Sequence, residues 1–352
     1  MTTAGDRGAH GSAGRDERGG AWGTISGPPI KSVVDVRDLR THIVTRWGTI
    51  RAVDGISFSL GEGETLGLVG ESGSGKSMTC LSLLRLVPRP AARIVGGQVL
   101  LDGEDLLTKS DREMQRIRGR KVAMILQDPM SSLNPVFSIG MQMREPVASY
   151  HGLRGAALAE RAAELLGAVR IPSPAARLRA FPHQLSGGMR QRVVGAMAIA
   201  GPPRLLMADE PTTSLDLTIQ AQYLGLLTEL QARHRFAMIF VTHNLGIVAR
   251  ICHRVAVMYA GRIVETGPTR RIFTAPAHPY TRALLESIPR FGTRQDRLTA
   301  IDGQPPDLAR LGAGCAFAPR CPSVMDRCHG EAPPDAAVSE GHSTRCWLHV
   351  RS

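Results

Sequence analysis

Eight residues constrain this chain more than any others: Gly70-Glu71-Ser72-Gly73-Ser74-Gly75-Lys76-Ser77. They fit the spacing G-x-x-x-x-G-K-[ST] at every fixed position. The buried-strand run Thr65-Leu66-Gly67-Leu68-Val69 precedes them, and an apolar helix through Leu86 is expected after them. Glycines let the backbone curl until several N–H groups converge on phosphate oxygens. The helix N-terminus adds its positive end. Lys76 then places a point charge on the β- and γ-phosphates, and the Ser77 hydroxyl can ligate Mg²⁺. A flexible Gly/Ser turn is the alternative, and the full spacing with correct flanks sets it aside.

A second element completes the chemistry. Leu205-Leu206-Met207-Ala208 reads as a buried strand that ends in Asp209-Glu210. At the carboxyl end of a parallel strand these carboxylates face the same crevice as the phosphate loop. Asp209 is placed to hold Mg²⁺ through its water shell, and Glu210 to polarise the attacking water. Read alone, the pair is an acidic turn before Pro211. Beside the phosphate loop it reads as a metal ligand and a general base.

The rest of the chain fits an α/β architecture. Val122-Ala123-Met124-Ile125-Leu126 and Met238-Ile239-Phe240-Val241 read as further buried strands. Val33–Val36 and Ala52–Phe58 read as short strands, and Ser110-Asp111-Arg112-Glu113 has capping-box spacing. A helix is expected from about Ile219 to His234, and residues of about 140–185 read as mostly helical. Strands that alternate with helices imply a parallel sheet with crossover connections. Residues 1–30 lack hydrophobic periodicity and are expected to be disordered. The net charge of +12 is spread through the chain. It favours a polyanion, an anionic ligand or a membrane surface without choosing among them. No apolar run approaches the roughly 18–20 residues of a membrane span, and the N-terminus lacks the apolar centre of a signal peptide. The chain is therefore expected in the cytoplasm.

Leu185-Ser186-Gly187-Gly188-Met189-Arg190-Gln191-Arg192 resembles the signature motif of ATP-binding cassette (ABC) ATPases. Ser186 is suited to cap a helix, and the glycines leave backbone N–H groups open to an anion. The resemblance implies a P-loop NTPase nucleotide-binding domain with a RecA-like parallel sheet core, an antiparallel β subdomain and a helical subdomain. It covers about residues 33–350. It places the ATPase domain at 31–270, with the helical subdomain at about 130–185. It also implies a head-to-tail dimer, in which Ser186, Gly187, Gly188 and Gln191 cover the γ-phosphate held by the opposite chain. By the same resemblance ATP lies on residues 70–77 and Met78, with Trp47 stacked on adenine. Gln127 is identified with the glutamine loop that reaches Mg²⁺ and the attacking water. Asp216 in Ser214-Leu215-Asp216 is identified with the D-loop, and His243 with the switch histidine. All these positions hold competent residue types, so an active ATPase is expected.

Six cysteines at this length do not make a disulfide scaffold. Cys80 and Cys252 fall in apolar helical stretches. Cys315, Cys321, Cys328 and Cys346 lie in a Pro/Gly-rich segment and suggest a structural staple. Their spacing lacks the C-x-x-C pairs of zinc ribbons, and four thiolates could hold a [4Fe–4S] cluster, with Zn²⁺ or free or paired thiols as the alternatives and His342 as another candidate ligand. This segment, with His278-Pro279-Tyr280-Thr281-Arg282, resembles the C-terminal extension of oligopeptide/dipeptide importer ATPases and is assigned to residues 271–352. Gln127-Asp128-Pro129-Met130-Ser131-Ser132-Leu133-Asn134-Pro135 points the same way. The resemblance implies a paralogous cassette partner, two transmembrane permease subunits and an extracytoplasmic solute-binding protein, with this chain peripheral on the cytoplasmic face of the membrane. A soluble cassette acting on nucleic acid or the ribosome is the other reading. A single phosphate loop and the lack of a heptad run weigh against it, so no nucleic-acid partner is expected.

Overall fold

The computed structural model describes residues 32–128, 132–288 and 301–350. The tail 1–30, and Pro129, Met130 and Ser131 of the phrase after Gln127, lie outside the described residues. Two long strands open the fold, β1 (Ser32–Thr45) and β2 (Gly48–Gly61), followed by β3 (Thr65–Val69) and α1 (Lys76–Leu83). Next come β4 (Ala92–Leu101), β5 (Glu104–Asp105), α2 (Asp111–Ile117) and β6 (Val122–Ile125). The helices α3 (Ile139–His151), α4 (Gly155–Ala168), α5 (Pro174–Arg177) and α6 (Gly187–Ala198) precede β7 (Leu205–Asp209). The core then continues through α7 (Leu217–His234), β8 (Ala237–Val241), α8 (Leu245–Ile251), β9 (Arg254–Tyr259) and β10 (Arg262–Pro268). The chain closes with α9 (Thr269–Thr274), α10 (Pro279–Glu286), α11 (Asp326–Gly330), β11 (Ala336–Ser339) and β12 (His342–Thr344).

β3, β6, β7, β8 and β9 pair in parallel in the order β9-β3-β8-β7-β6, and β10, β12 and β11 continue the sheet antiparallel beyond β9. A second, antiparallel sheet runs β2-β1-β4-β5. Along the central strands the side chains alternate between two cores. Leu206, Ala208 and Phe240 face the helical side with Met143, Val147 and Leu165. Leu205, Met207, Ile239 and Val241 face the antiparallel sheet with Leu39, Ile56 and Leu60. A sheet covered on both faces needs strands that are apolar at every position, which is why these runs are continuous in sequence.

Local expectations fare unevenly. Ser110 and Glu113 form the capping box of α2. α1 stops at Leu83 rather than Leu86, because Leu84 closes the helix and Arg85 turns to positive φ. β1 and β2 are fourteen-residue strands with several bulges, not short ones. From the carboxyl-terminal segment, β11 and β12 join the main sheet. Among the described residues no helix is long and apolar enough to cross a membrane.

Candidate active site

The phosphate loop joins β3 to α1, wedged against β9 and the start of β2. Its shape depends on glycine at two points. Gly70 has φ +150°, and a Cβ there would stand 2.2 Å from the Met258 carbonyl oxygen. Gly75 has φ +106°, and a Cβ there would stand 2.2 Å from the Ala52 carbonyl oxygen. The Lys76 ammonium folds into the loop and donates to the carbonyls of Gly70 at 2.8 Å and Glu71 at 2.9 Å. Burial pulls its pKa below the ordinary lysine range, against the carboxylates of Glu210, Asp209 and Glu71. The ammonium is thus a buried cation close to acidic groups, available to exchange loop carbonyls for phosphate oxygens.

Glu210 is where the separated sequence candidates meet. It follows β7 in a left-handed conformation, φ +45°, anchored by its N–H to the Val241 carbonyl at 2.9 Å. Its carboxylate accepts from Gln127 Nε2 at 3.2 Å and from the Thr213 hydroxyl at 3.0 Å. The other oxygen lies 3.2 Å from His243 Nδ1. Gln127 arrives from the end of β6 and His243 from the end of β8, so adjacent parallel strands deliver all three groups to one crevice. Thr213 has no counterpart in the sequence reading; its place three residues after Glu210 was the available signal. Asp209 sits behind, buried, with Oδ1 lacking any hydrogen-bond partner. Burial raises its pKa, opposed by a hydrogen bond from Ser77. An orphaned buried carboxylate oxygen beside a serine hydroxyl fits a hydrated divalent cation.

The signature stretch starts α6. Ser186 caps it, accepting from the Met189 N–H at 3.3 Å. Ser186 and Gly187 are exposed, and a Cβ at Gly187 would meet nothing within 4 Å, so this helix start is open to a ligand. Gln191 does not belong to that surface. It is completely buried, one turn further on and on the same helix face as Val194 and Gly195, with its amide beside the Tyr223 hydroxyl. Asp216 is exposed and caps α7 through the N–H groups of Thr218 and Ile219 at 3.1 and 3.0 Å.

Comparison with known proteins agrees with this geometry. Residues 53–213 match the family model described as ABC transporter, and residues 264–328 match the oligopeptide/dipeptide transporter C-terminal region. A probable peptide ABC transporter ATP-binding protein of Sinorhizobium fredii is 49% identical, over 92% of this chain and 96% of its own. The oligopeptide transport ATP-binding protein OppD of Bacillus subtilis is 47% identical, over 91% and 89%. The chain belongs to the oligopeptide/dipeptide family of ABC transporter ATP-binding proteins. Among solved structures, the ATP-binding cassette MJ0796, a post-hydrolysis dimer bound to ADP and Pi, superposes with a TM-score of 0.60. It is 25% identical and covers 67% of this chain and 99% of its own. This ABC ATPase is therefore an α/β cassette with a C-terminal extension.

Two further regions of the ATPase complete the comparison with its sequence. Trp47 is neither in a strand nor packed: it stands 76% exposed in the turn between β1 and β2, with the Arg46 guanidinium 3.9 Å from the ring centroid. The four late cysteines line one small cavity with Phe317, Met325, Trp347 and His278. Burial pushes the Cys346 thiol up to about 11, with the other three cysteines adding to the rise. Among the described residues, no group of three or more His, Cys, Asp or Glu side chains is gathered into a metal-holding arrangement. His342 is engaged elsewhere, its Nε2 2.7 Å from Glu265. Cys80 and Cys252 are core residues, and Cys252 closes α8 rather than lying inside it.

Proposed function

We propose that the chain powers the import of peptides, or of a related small solute, by hydrolysing ATP as one of two cassettes docked on a pair of permeases. The observation that carries this reading is the meeting of Glu210, Gln127, Thr213 and His243 at the mouth of the phosphate loop. Residues 70–78 would cradle the triphosphate, with Trp47 offering the ring face not covered by Arg46 to the adenine. Ser77, Gln127 and Asp209 would hold Mg²⁺, which when bound neutralises charge on the β- and γ-phosphates. Glu210 accepts the proton of the attacking water, and His243 orients that carboxylate through Nδ1. The reaction is phosphoryl transfer to water by positioning and charge neutralisation, with no covalent intermediate.

Ser186, Gly187 and Gly188 suit the role of lid on a nucleotide held by a partner cassette, and Asp216 stands at the start of α7 near Leu217, an apolar side chain 81% exposed. An exposed leucine of this kind fits a surface that another chain covers. The chain would sit on the cytoplasmic face of the membrane, with a solute-binding protein delivering cargo from outside. The four late cysteines are not gathered as metal ligands, but they line one cavity, and on that proximity alone we propose a structural [4Fe–4S] cluster. Anaerobically purified protein should then be brown, absorb near ~400 nm and hold about four irons per chain. Colourless protein with stoichiometric zinc would reject the cluster.

Purification from native membranes tests the main proposal. Co-purification with multi-span permeases and turnover of ATP by that complex are expected. A complex that fails to hydrolyse ATP, or an association with the chain that RNase abolishes, would overturn it.

A further inference from the structure

Among the described residues, the hydrogen bonds from the carboxyl-terminal extension to the phosphate loop converge on Glu71. The Glu71 N–H donates to the Tyr280 hydroxyl at 2.8 Å. Its carboxylate receives both arms of the Arg320 guanidinium, at 2.7 and 3.0 Å. The Arg320 side chain is only 4% exposed and spends every N–H it has. Besides the two bonds to Glu71, Nε donates to the Asp302 carbonyl at 2.9 Å, Nη1 to the Tyr259 hydroxyl at 3.2 Å and Nη2 to the Ile301 carbonyl at 3.3 Å. The Arg320 guanidinium carbon lies 5.9 and 6.0 Å from the ring centroids of Tyr259 and Phe317, and these two rings pack with Tyr280 at centroid distances of 4.5 to 5.4 Å. Tyr259 ends β9, and the adjoining Gly261 N–H donates to the Ser74 carbonyl at 3.0 Å. The loop is therefore tied at both Glu71 and Ser74.

Two physical consequences follow for nucleotide. A carboxylate inside a triphosphate-binding loop repels its ligand unless a fixed cation neutralises it. A bidentate, desolvated arginine is the strongest side-chain partner for that purpose. The Glu71 amide, engaged by Tyr280, is not free to donate to phosphate, so Glu71 serves the cradle by fixing the shape of the loop rather than as a donor.

We infer that Arg320 and Tyr280 are positioning residues for ATP binding: through Glu71 they fix the phosphate loop and cancel its one adverse charge. This rests on the reading that residues 70–77 hold the triphosphate. Neither side chain need touch the nucleotide.

The test uses the full chain in complex with its permeases, reading KM for MgATP and kcat, together with the equilibrium affinity for a fluorescent ATP analogue. Arg320→Gln, which leaves the Glu71 carboxylate unneutralised, should raise KM and Kd by about tenfold with kcat within about twofold. Adding Glu71→Gln to Arg320→Gln should recover most of that loss, because the repelling charge is gone. A merely structural arginine predicts no such recovery. Unchanged KM in Arg320→Gln, or a double variant as weak as the single, overturns the inference. Should Arg320→Gln fail to fold, Tyr280→Phe removes only the acceptor of the Glu71 amide and should raise KM about threefold; an unchanged value then overturns it. Lys76→Ala separates the two readings. If it leaves ATP binding intact, the assignment of the loop fails; if it abolishes binding while Arg320→Gln and Tyr280→Phe do nothing, only the brace fails.

Discussion

Replacing Glu265 by alanine should detach the carboxyl-terminal extension from the cassette. Glu265 lies on β10 and is almost wholly buried. One carboxylate oxygen accepts from the Ala277 N–H at 2.7 Å and from His342 Nε2 at 2.7 Å, and the other from the His278 N–H at 2.8 Å. Alanine leaves three buried donors without an acceptor. At about 1–2 kcal/mol for each stranded group, the loss is about 3–6 kcal/mol. That is a large part of the roughly 5–15 kcal/mol that holds a domain together. The damage should be local first, because the donors belong to the lead-in to α10 and to β12. Glu265→Gln keeps one acceptor and should cost about half as much. Urea denaturation gives the total, and hydrogen exchange at Ala277, His278 and residues 342–344 locates it. A stability loss under about 1 kcal/mol with unchanged exchange would show that these contacts do not anchor the extension.

Three other outcomes are expected. Glu210→Gln should cut ATP turnover by about 10²–10⁴-fold while keeping ATP binding, because the amide preserves shape but cannot take a proton; steady-state hydrolysis near wild type would remove Glu210 from its role. Gln191→Leu should leave KM for ATP unchanged and shift stability by no more than about 1 kcal/mol, since it replaces a buried amide that has no well-formed hydrogen bond; a raised KM would return Gln191 to the nucleotide lid. Asp54 bridges the two sheets to Arg262 at 2.7 Å. Burial alone would push its pKa up, but Arg262, Arg51 and Arg40 reverse this and hold it below the ordinary carboxylate value. A depressed carboxylate stabilises the fold above its unfolded pKa and loses that contribution as pH falls through the folded one. Asp54→Asn should therefore lower the melting temperature at neutral pH and shrink the difference from wild type under strong acid. A pH-independent difference would contradict the linkage.

What was legible in the sequence follows from distance along the chain. The phosphate loop and the Asp209-Glu210 strand end are local, because a glycine, a lysine and a buried strand must be adjacent to work. Gln127 and His243 were singled out only by the family resemblance; in the structure each follows a strand of the parallel sheet, which brings both to Glu210. Gln191 was misplaced because a motif read as a string ignores helical periodicity, which turns that position inward. The partners of Glu71 lie 209 and 249 residues away, and nothing near Glu71 announces them. β11 and β12 were missed because they are four and three residues long and Ala- and Ser-containing, with little apolar alternation to read.

The same two short strands have a protective consequence. β12 pairs with β10 at Glu265–Thr344 and Thr266–Ser343, and β11 closes the row outside it. A protein truncated before residue 336 would leave the seven-residue β10 with bare amides and carbonyls, a template on which other chains can assemble. Quite apart from any influence on catalysis, removing these two strands should therefore make the molecule more prone to aggregate.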